Sequence, residues 1–230
     1  MARRRMRLTP ELVARVSRQI ADPGPMPHQI APSEQQVAAT VRAIISEASS
    51  TEAIWFFAFG SLIWKPACDF VERRVALAHG WHRAFCLGWD TRYRGNKDEP
   101  GLMLSLDRGG QCKGVAFRVP PDATESNLDK LVRREPPFPL RWLNLKTEEG
   151  PIRAFAFVID RKSGRYIGGL SAEAVADVLA KAVGMWGSMA EYLHSTVEHL
   201  EDLGIHDKQL WLLQEMVAER IETATGAAPR

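Results

Sequence analysis

Residues 54–66 read IWFFAFGSLIWKP. Ile54-Trp55-Phe56-Phe57 is an apolar, aromatic run suited to a buried strand, and Gly60-Ser61 breaks the pattern before Leu62-Ile63-Trp64 resumes it. A glycine and a serine at a strand end let the backbone turn sharply. Such a turn can leave consecutive N–H groups facing outward, a small cradle for an anion or a carboxylate. An ordinary turn accounts for the same two residues. A serine nucleophile does not fit, because Phe59-Gly60-Ser61-Leu62-Ile63 departs from G-x-S-x-G and no His or Asp partner is marked.

Around this stretch, from Ile54 to about Asp160, short runs of β-branched, aromatic and aliphatic residues alternate with Gly, Asp, Asn and Pro. The spacing predicts strands over 54–59, 75–80, 84–89, 101–106, 113–119, 141–147 and 152–159. One helix interrupts them over 125–135, where Leu128, Leu131 and Val132 form an apolar stripe and Pro136-Pro137 ends the pattern. Upstream, Thr9-Pro10-Glu11 opens a helix over 10–21, and Asp22-Pro23-Gly24-Pro25 closes it. Ser33 and Gln36 form a possible capping box before Val37, Val41 and Ile44. Downstream the helical period returns with Val175, Val178, Leu179 and Ala182, and again with Leu210, Leu213, Val217 and Ile221. Ser188 and Glu191 form a second possible capping box between them. The chain thus divides into a helical extension (1–50), one domain rich in β structure (51–222) and a small, polar tail (223–230) expected to fray.

The chain has 230 residues, 45% of them hydrophobic, enough for a substantial core. Its net charge of +2 balances 30 basic against 28 acidic side chains, so no strong field singles out nucleic acid as a partner. Arg3-Arg4-Arg5 with Arg7 reads as a solvated or frayed N-terminal run, with a nucleic-acid arm as the less usual alternative. Cys68, Cys86 and Cys112 are odd in number and form no CxxC pair, which points to a reduced, cytoplasmic protein without a disulfide framework or a zinc knuckle. There is no apolar run long enough to span a membrane. No apolar h-region follows the basic start, and Glu11 and Asp22 come too early for a transit peptide.

One carboxylate is unusual. If the helix reaches Glu135, that residue falls four positions after Leu131 and seven after Leu128, on the apolar stripe. Burial and the negative end of the helix dipole would both raise its pKa, toward the range a general base or acid needs at neutral pH. The same residue can instead pair with Arg133, Arg134 or Arg141 as a structural salt bridge. The histidines suggest no metal: His79 and His82 flank a glycine, and His28, His194, His199 and His206 lack ligand spacing. Neither G-x-G-x-x-G nor G-x-x-x-x-G-K-[ST] occurs.

Taken in order, FAFGSLIWKPACDF, GWHRAFCLG, RYRGNKDEPGLMLSL, GGQCKGVAFRVP, LDKLVRRE and AEYLHSTVEHLEDLGIHD resemble the ChaC family of γ-glutamylcyclotransferases, from about Trp55 to Val217. The resemblance implies an α+β fold built on a small, mostly antiparallel β-barrel flanked by helices. It implies an enzyme that converts glutathione to 5-oxoproline and cysteinylglycine without a cofactor or metal. The γ-glutamyl α-amine attacks its own side-chain carbonyl and expels the Cys-Gly amine.

By the same resemblance, Phe59, Gly60, Ser61 and Leu62 occupy the family's Tyr-Gly-Ser-Leu motif, whose backbone donors hold the γ-glutamyl end. Glu135, after Arg134, takes the place of the catalytic glutamate as proton shuttle, and Arg83 and Tyr192 are expected substrate contacts. Two departures stand out. Phe59 replaces the tyrosine, and the segment REPPFPLRW after the glutamate is short and proline-rich where the family has a longer one. A cyclotransferase for other γ-glutamyl peptides or amines, and a non-catalytic regulatory member of the fold, are the alternative readings. The expected partner is a small molecule, with no nucleic acid or membrane, and the sequence assigns no oligomeric state.

Overall fold

The computed structural model describes residues 5–25, 31–48, 53–135, 138–224 and 226. The expected terminator Pro136-Pro137, the charged residues Arg3 and Arg4, His28, the 50/51 boundary and most of the 223–230 tail lie outside these residues. Two compact units emerge. One holds residues 27–84 and 105–160; the other holds the chain up to residue 26, 85–104 and 161 onward.

The first unit carries most of a closed five-stranded barrel. Its strands are β1 (Trp55–Ala58), β2 (Glu72–Asp90), β3 (Gly101–Arg118), β4 (Leu140–Thr147) and β5 (Gly150–Phe157), in the order β1-β3-β2-β4-β5. β1 pairs antiparallel with β3 (Phe57↔Ala116), and β4 pairs antiparallel with β5 (Leu143↔Ala154). A parallel contact, Phe56↔Phe155, closes the ring. The expected mostly antiparallel barrel is therefore present.

Period-2 alternation fills it. Trp55 and Phe57, Ala76 and Ala78, Leu143 and Leu145, and Ala154 and Ala156 pack into one buried cluster with Leu106, Cys112 and Val158. The opposite parity makes a second aromatic layer, in which Phe56 stacks on Phe117 at 5.2 Å and Trp142 meets Phe155 edge-on at 5.7 Å. Gly114 is needed for close approach, because a Cβ there would lie 2.4 Å from the Ala58 carbonyl oxygen.

Two of the expected breaks do not exist. The strands anticipated at 75–80 and 84–89 are one strand, β2, and those at 101–106 and 113–119 are one strand, β3, ending at Arg118. Gly109 and Gly110, at φ of 103° and 65°, let β3 bend without ending, and His82 on β2 reaches the Gly109 carbonyl at 3.0 Å. Glycine punctuates many strands, but here the ladder uses it as a bend.

Two helices complete this unit. α2 (Glu34–Glu47) opens with the full Ser33/Gln36 capping box and buries Val37, Val41 and Ile44; it packs on α3 (Thr124–Arg134). α3 stops one residue short of the expected end. Glu135 caps it in extended conformation, φ −82° and ψ 138°, its N–H still bonded to the Leu131 carbonyl. Its carboxyl is therefore not carried by helical spacing onto the apolar stripe.

The second unit is helical: α1 (Pro10–Val16), α4 (Ala172–Leu179), α5 (Met189–Asp202) and α6 (Lys208–Ala224), with a two-strand hairpin β6 (Val183–Gly184) and β7 (Gly187–Ser188). α1 packs on α5 and α6, and α4 packs on both of them. α6 buries Leu210, Leu213, Val217 and Ile221, as their spacing predicts. α1 is shorter than the anticipated 10–21. Ser17 turns extended and its hydroxyl donates to the Val13 carbonyl at 2.9 Å; the chain then runs outward, where Asp22 meets Arg92 at 2.7 Å. Tertiary ion pairs replace the helix there. The Ser188/Glu191 capping box is half formed: Ser188 Oγ accepts from the Glu191 N–H, but the Glu191 carboxylate turns to Arg94.

Candidate active site

β1 delivers Phe59, partly buried against the barrel cluster, and the chain then folds into a single 3₁₀ turn over Ser61–Ile63. The turn closes through Ile63 N–H on the Gly60 carbonyl at 2.9 Å and Lys65 N–H on the Ser61 carbonyl at 2.9 Å. These bonds begin at Ile63. The N–H groups of Ser61 and Leu62 have no acceptor among the described residues, as expected for the first donors of a helical turn.

Two arginines hold this turn. Arg83, on β2 and 4% exposed, donates through Nε to the Phe59 carbonyl and through Nη2 to the Lys113 carbonyl at 2.8 Å. Arg134, the last residue of α3, donates through Nη1 to the Lys65 carbonyl and through Nη2 to Ser61 Oγ at 3.2 Å. A further tether comes from Asn127, buried in α3, whose Oδ1 accepts the Asp69 N–H at 2.8 Å.

Glu135 follows Arg134 directly. Part of its surface stays accessible, yet the protein surrounds its carboxyl closely enough that desolvation pushes the pKa up from 4.5 to about 7, against a smaller downward pull from Arg134. Among the described residues the alternative salt bridges do not form. Arg133 is spent on Glu34 and Asp129, Arg134 on the turn, and Arg141 on the Leu140 carbonyl.

One unit thus holds Phe59, Gly60, Ser61 and Leu62 between Arg83, bonded to the Phe59 carbonyl, and Arg134, bonded to Ser61 Oγ, with Glu135 next to Arg134 in the chain. Tyr192 belongs to the other unit. It lies buried on α5, edge-on to Phe85 at 6.2 Å, with the Arg94 guanidinium 5.5 Å from its ring centroid. Arg94 also bonds to Glu191 at 2.8 Å and to the Ser188 carbonyl at 3.1 Å. The loop bearing Arg94 is organised by Asp90, 1% exposed, whose Oδ1 accepts the N–H groups of Tyr93 and Arg94 at 2.7 and 2.9 Å.

Sequence reasoning missed Asn127, Asp90 and Arg94. Asn127 carries a usable signal, a polar side chain four residues before Leu131 on the apolar stripe. Among the described residues no cluster of His, Cys, Asp or Glu is arranged to hold a metal ion, and no helix is long and apolar enough to cross a membrane.

The fold is that of a γ-glutamyl cyclotransferase: a crystal structure of the yeast γ-glutamyl cyclotransferase specific to glutathione superposes with a TM-score of 0.67 at 21% identity, covering 73% of this chain and 97% of that one. A family model described as ChaC-like protein matches residues 54–220, and the chain belongs to that family. It is 36% identical to the glutathione-specific γ-glutamylcyclotransferase of Escherichia coli K12, over 77% of this chain and 78% of the relative. It is 30% identical to glutathione-specific γ-glutamylcyclotransferase 1 of Mus musculus, over 66% and 72% respectively.

Proposed function

We propose that this protein is a glutathione-specific γ-glutamylcyclotransferase. The relatives named for that activity support the substrate. The observation that carries the chemistry is Glu135, its carboxyl poised near pH 7, one residue from the arginine that grips the Ser61 turn.

The reaction needs a proton moved twice. The γ-glutamyl α-amine is a cation near neutral pH and must lose a proton before its nitrogen attacks the γ-carbonyl carbon. When the C–N bond to Cys-Gly breaks, the departing amine must gain one. That first proton leaves to solvent; as the neutral amine attacks, Glu135 takes the second proton from the ring-forming nitrogen and returns it to the leaving amine, which gains its last proton from solvent, a cycle suited to a carboxyl whose pKa lies near the working pH. Nucleophile and carbonyl are tethered in one molecule, so holding the folded conformer does much of the remaining work. The N–H groups of Ser61 and Leu62 receive the γ-glutamyl end and the oxyanion that develops on it. The products are 5-oxoproline and cysteinylglycine, and the equation balances without an oxidant, a reductant or a cofactor.

Arg83 acts in this reading by fixing the Phe59 carbonyl at the entry to the turn. The catalytic module is residues 51–222, the partner is a small molecule and the location is cytoplasmic, in keeping with three buried free thiols.

Purified protein incubated with millimolar glutathione should yield 5-oxoproline and Cys-Gly in equal amounts by mass spectrometry, and Glu135→Gln should yield neither. A folded wild-type protein that makes neither product refutes glutathione as the substrate. A panel of γ-glutamyl peptides and amines then decides between a changed substrate and a lost activity.

A further inference from the structure

We propose that Arg134 is a positioning residue that sets Glu135 in register with the Ser61–Ile63 turn; the inference rests on the assignment of Glu135 as proton shuttle. Its guanidinium spans the turn, one nitrogen on Ser61 Oγ at 3.2 Å and another on the Lys65 carbonyl. The Ser61 carbonyl is already occupied by the N–H groups of Trp64 and Lys65, so Arg134 grips the two ends of a closed loop rather than a loose strand. A planar fork can satisfy two acceptors at once, and an ammonium point charge cannot reproduce that bridge.

On the other side, Glu135 is bonded through its N–H to the Leu131 carbonyl at 3.2 Å, which anchors its backbone to α3. Adjacent Cα atoms are about 3.8 Å apart, so a clamp at residue 134 leaves residue 135 little freedom relative to the turn. Arg133 makes a useful contrast. It is the neighbouring cation, but both its contacts lead away from the turn, to Asp129 at 2.6 Å and to Glu34 of α2 at 2.6 Å.

Arg134 is also the charge that acts on the Glu135 carboxyl among the described residues. The other cations closest to it in sequence are committed elsewhere: Arg133 as above, Lys130 to Asp69 at 3.6 Å, and Arg141 to a main-chain carbonyl. Removing the guanidinium therefore has two separable effects, loss of register and loss of a stabilising cation.

The test compares Arg134→Met, Arg134→Lys and Arg133→Met with wild type in glutathione turnover across pH 5.5–9, each checked for a native melting transition. Arg134→Met should lower kcat/KM by about tenfold to a hundredfold, mainly in kcat. It should also move the acidic limb of the profile to higher pH by about half a unit. Arg134→Lys should keep the limb in place while retaining most of the rate loss. Arg133→Met should stay within about twofold of wild type, the usual range for a surface substitution. An Arg134→Met protein with wild-type rate and limb overturns the inference, as does an Arg133→Met protein that reproduces the whole effect. Should wild type itself fail to turn glutathione over, amide hydrogen exchange across the Ser61–Lys65 turn and at Glu135 still decides the matter: faster exchange in Arg134→Met and Arg134→Lys but not in Arg133→Met supports the register, and unchanged exchange in both Arg134 variants refutes it.

Discussion

Replacing Glu135 with glutamine should make the folded protein more stable above pH 7 while abolishing its activity. A carboxyl whose folded pKa of about 7 exceeds its ordinary 4.5 binds its proton more tightly in the native state. That preference favours folding fully below the unfolded pKa, and it is lost as pH rises through the folded one. At about 1.36 kcal/mol per unit, the full displacement corresponds to roughly 3.4 kcal/mol, of which about 2.5 kcal/mol is lost between pH 5 and pH 8. Glu135 keeps some contact with solvent, so about 1–2 kcal/mol is the expected size after screening. Glutamine carries no such linkage. Urea unfolding of both proteins at pH 5 and pH 8 should show the Glu135→Gln advantage grow by about 1–2 kcal/mol at the higher pH. A difference that is equal at the two pH values, or that shrinks as pH rises, would refute the assignment of a desolvated carboxyl at this position.

The acidic limb of kcat/KM should lie near pH 7, since the base must be unprotonated, with activity falling about tenfold between pH 8 and pH 6; a limb near pH 4.5 would contradict a desolvated base. Arg83→Met should cost about 2–4 kcal/mol in urea unfolding, because the Phe59 and Lys113 carbonyls lose a charged donor in a buried setting. Gly114→Ala should destabilise by about 1–3 kcal/mol, since the new methyl meets the Ala58 carbonyl oxygen at 2.4 Å. Cys68, buried and with its pKa pushed up to about 11, should react with an aromatic disulfide reagent only once denaturant is added.

Much of this fold is legible in local pattern. The break at Gly60-Ser61, the apolar stripe of α3, the Ser33/Gln36 capping box and the buried face of α6 each follow from residues within a few positions of one another. Errors arose where a local signal has two structural uses. The Gly109-Gly110 pair reads as the end of a strand, but in β3 it is a bend, because the partner strand β2 continues alongside and keeps the ladder intact. Asp22 reads as part of a helix stop, yet its carboxylate is an ion-pair partner for Arg92, seventy residues away.

At the site, the sequence by itself singled out Gly60-Ser61 as a place where a strand must turn, and Glu135 as a carboxylate at the end of an apolar helix. Backbone dihedrals and side-chain periodicity depend on near neighbours, and they are written in short stretches of chain. Only the tertiary structure decided that Arg134 reaches Ser61 across seventy-three positions, that Arg83 takes the Phe59 carbonyl, and that Glu135 is desolvated rather than paired. Those outcomes follow from strand register and burial. Both are set when distant segments compete for the same acceptors and exclude the same water, a competition that no local window of sequence contains.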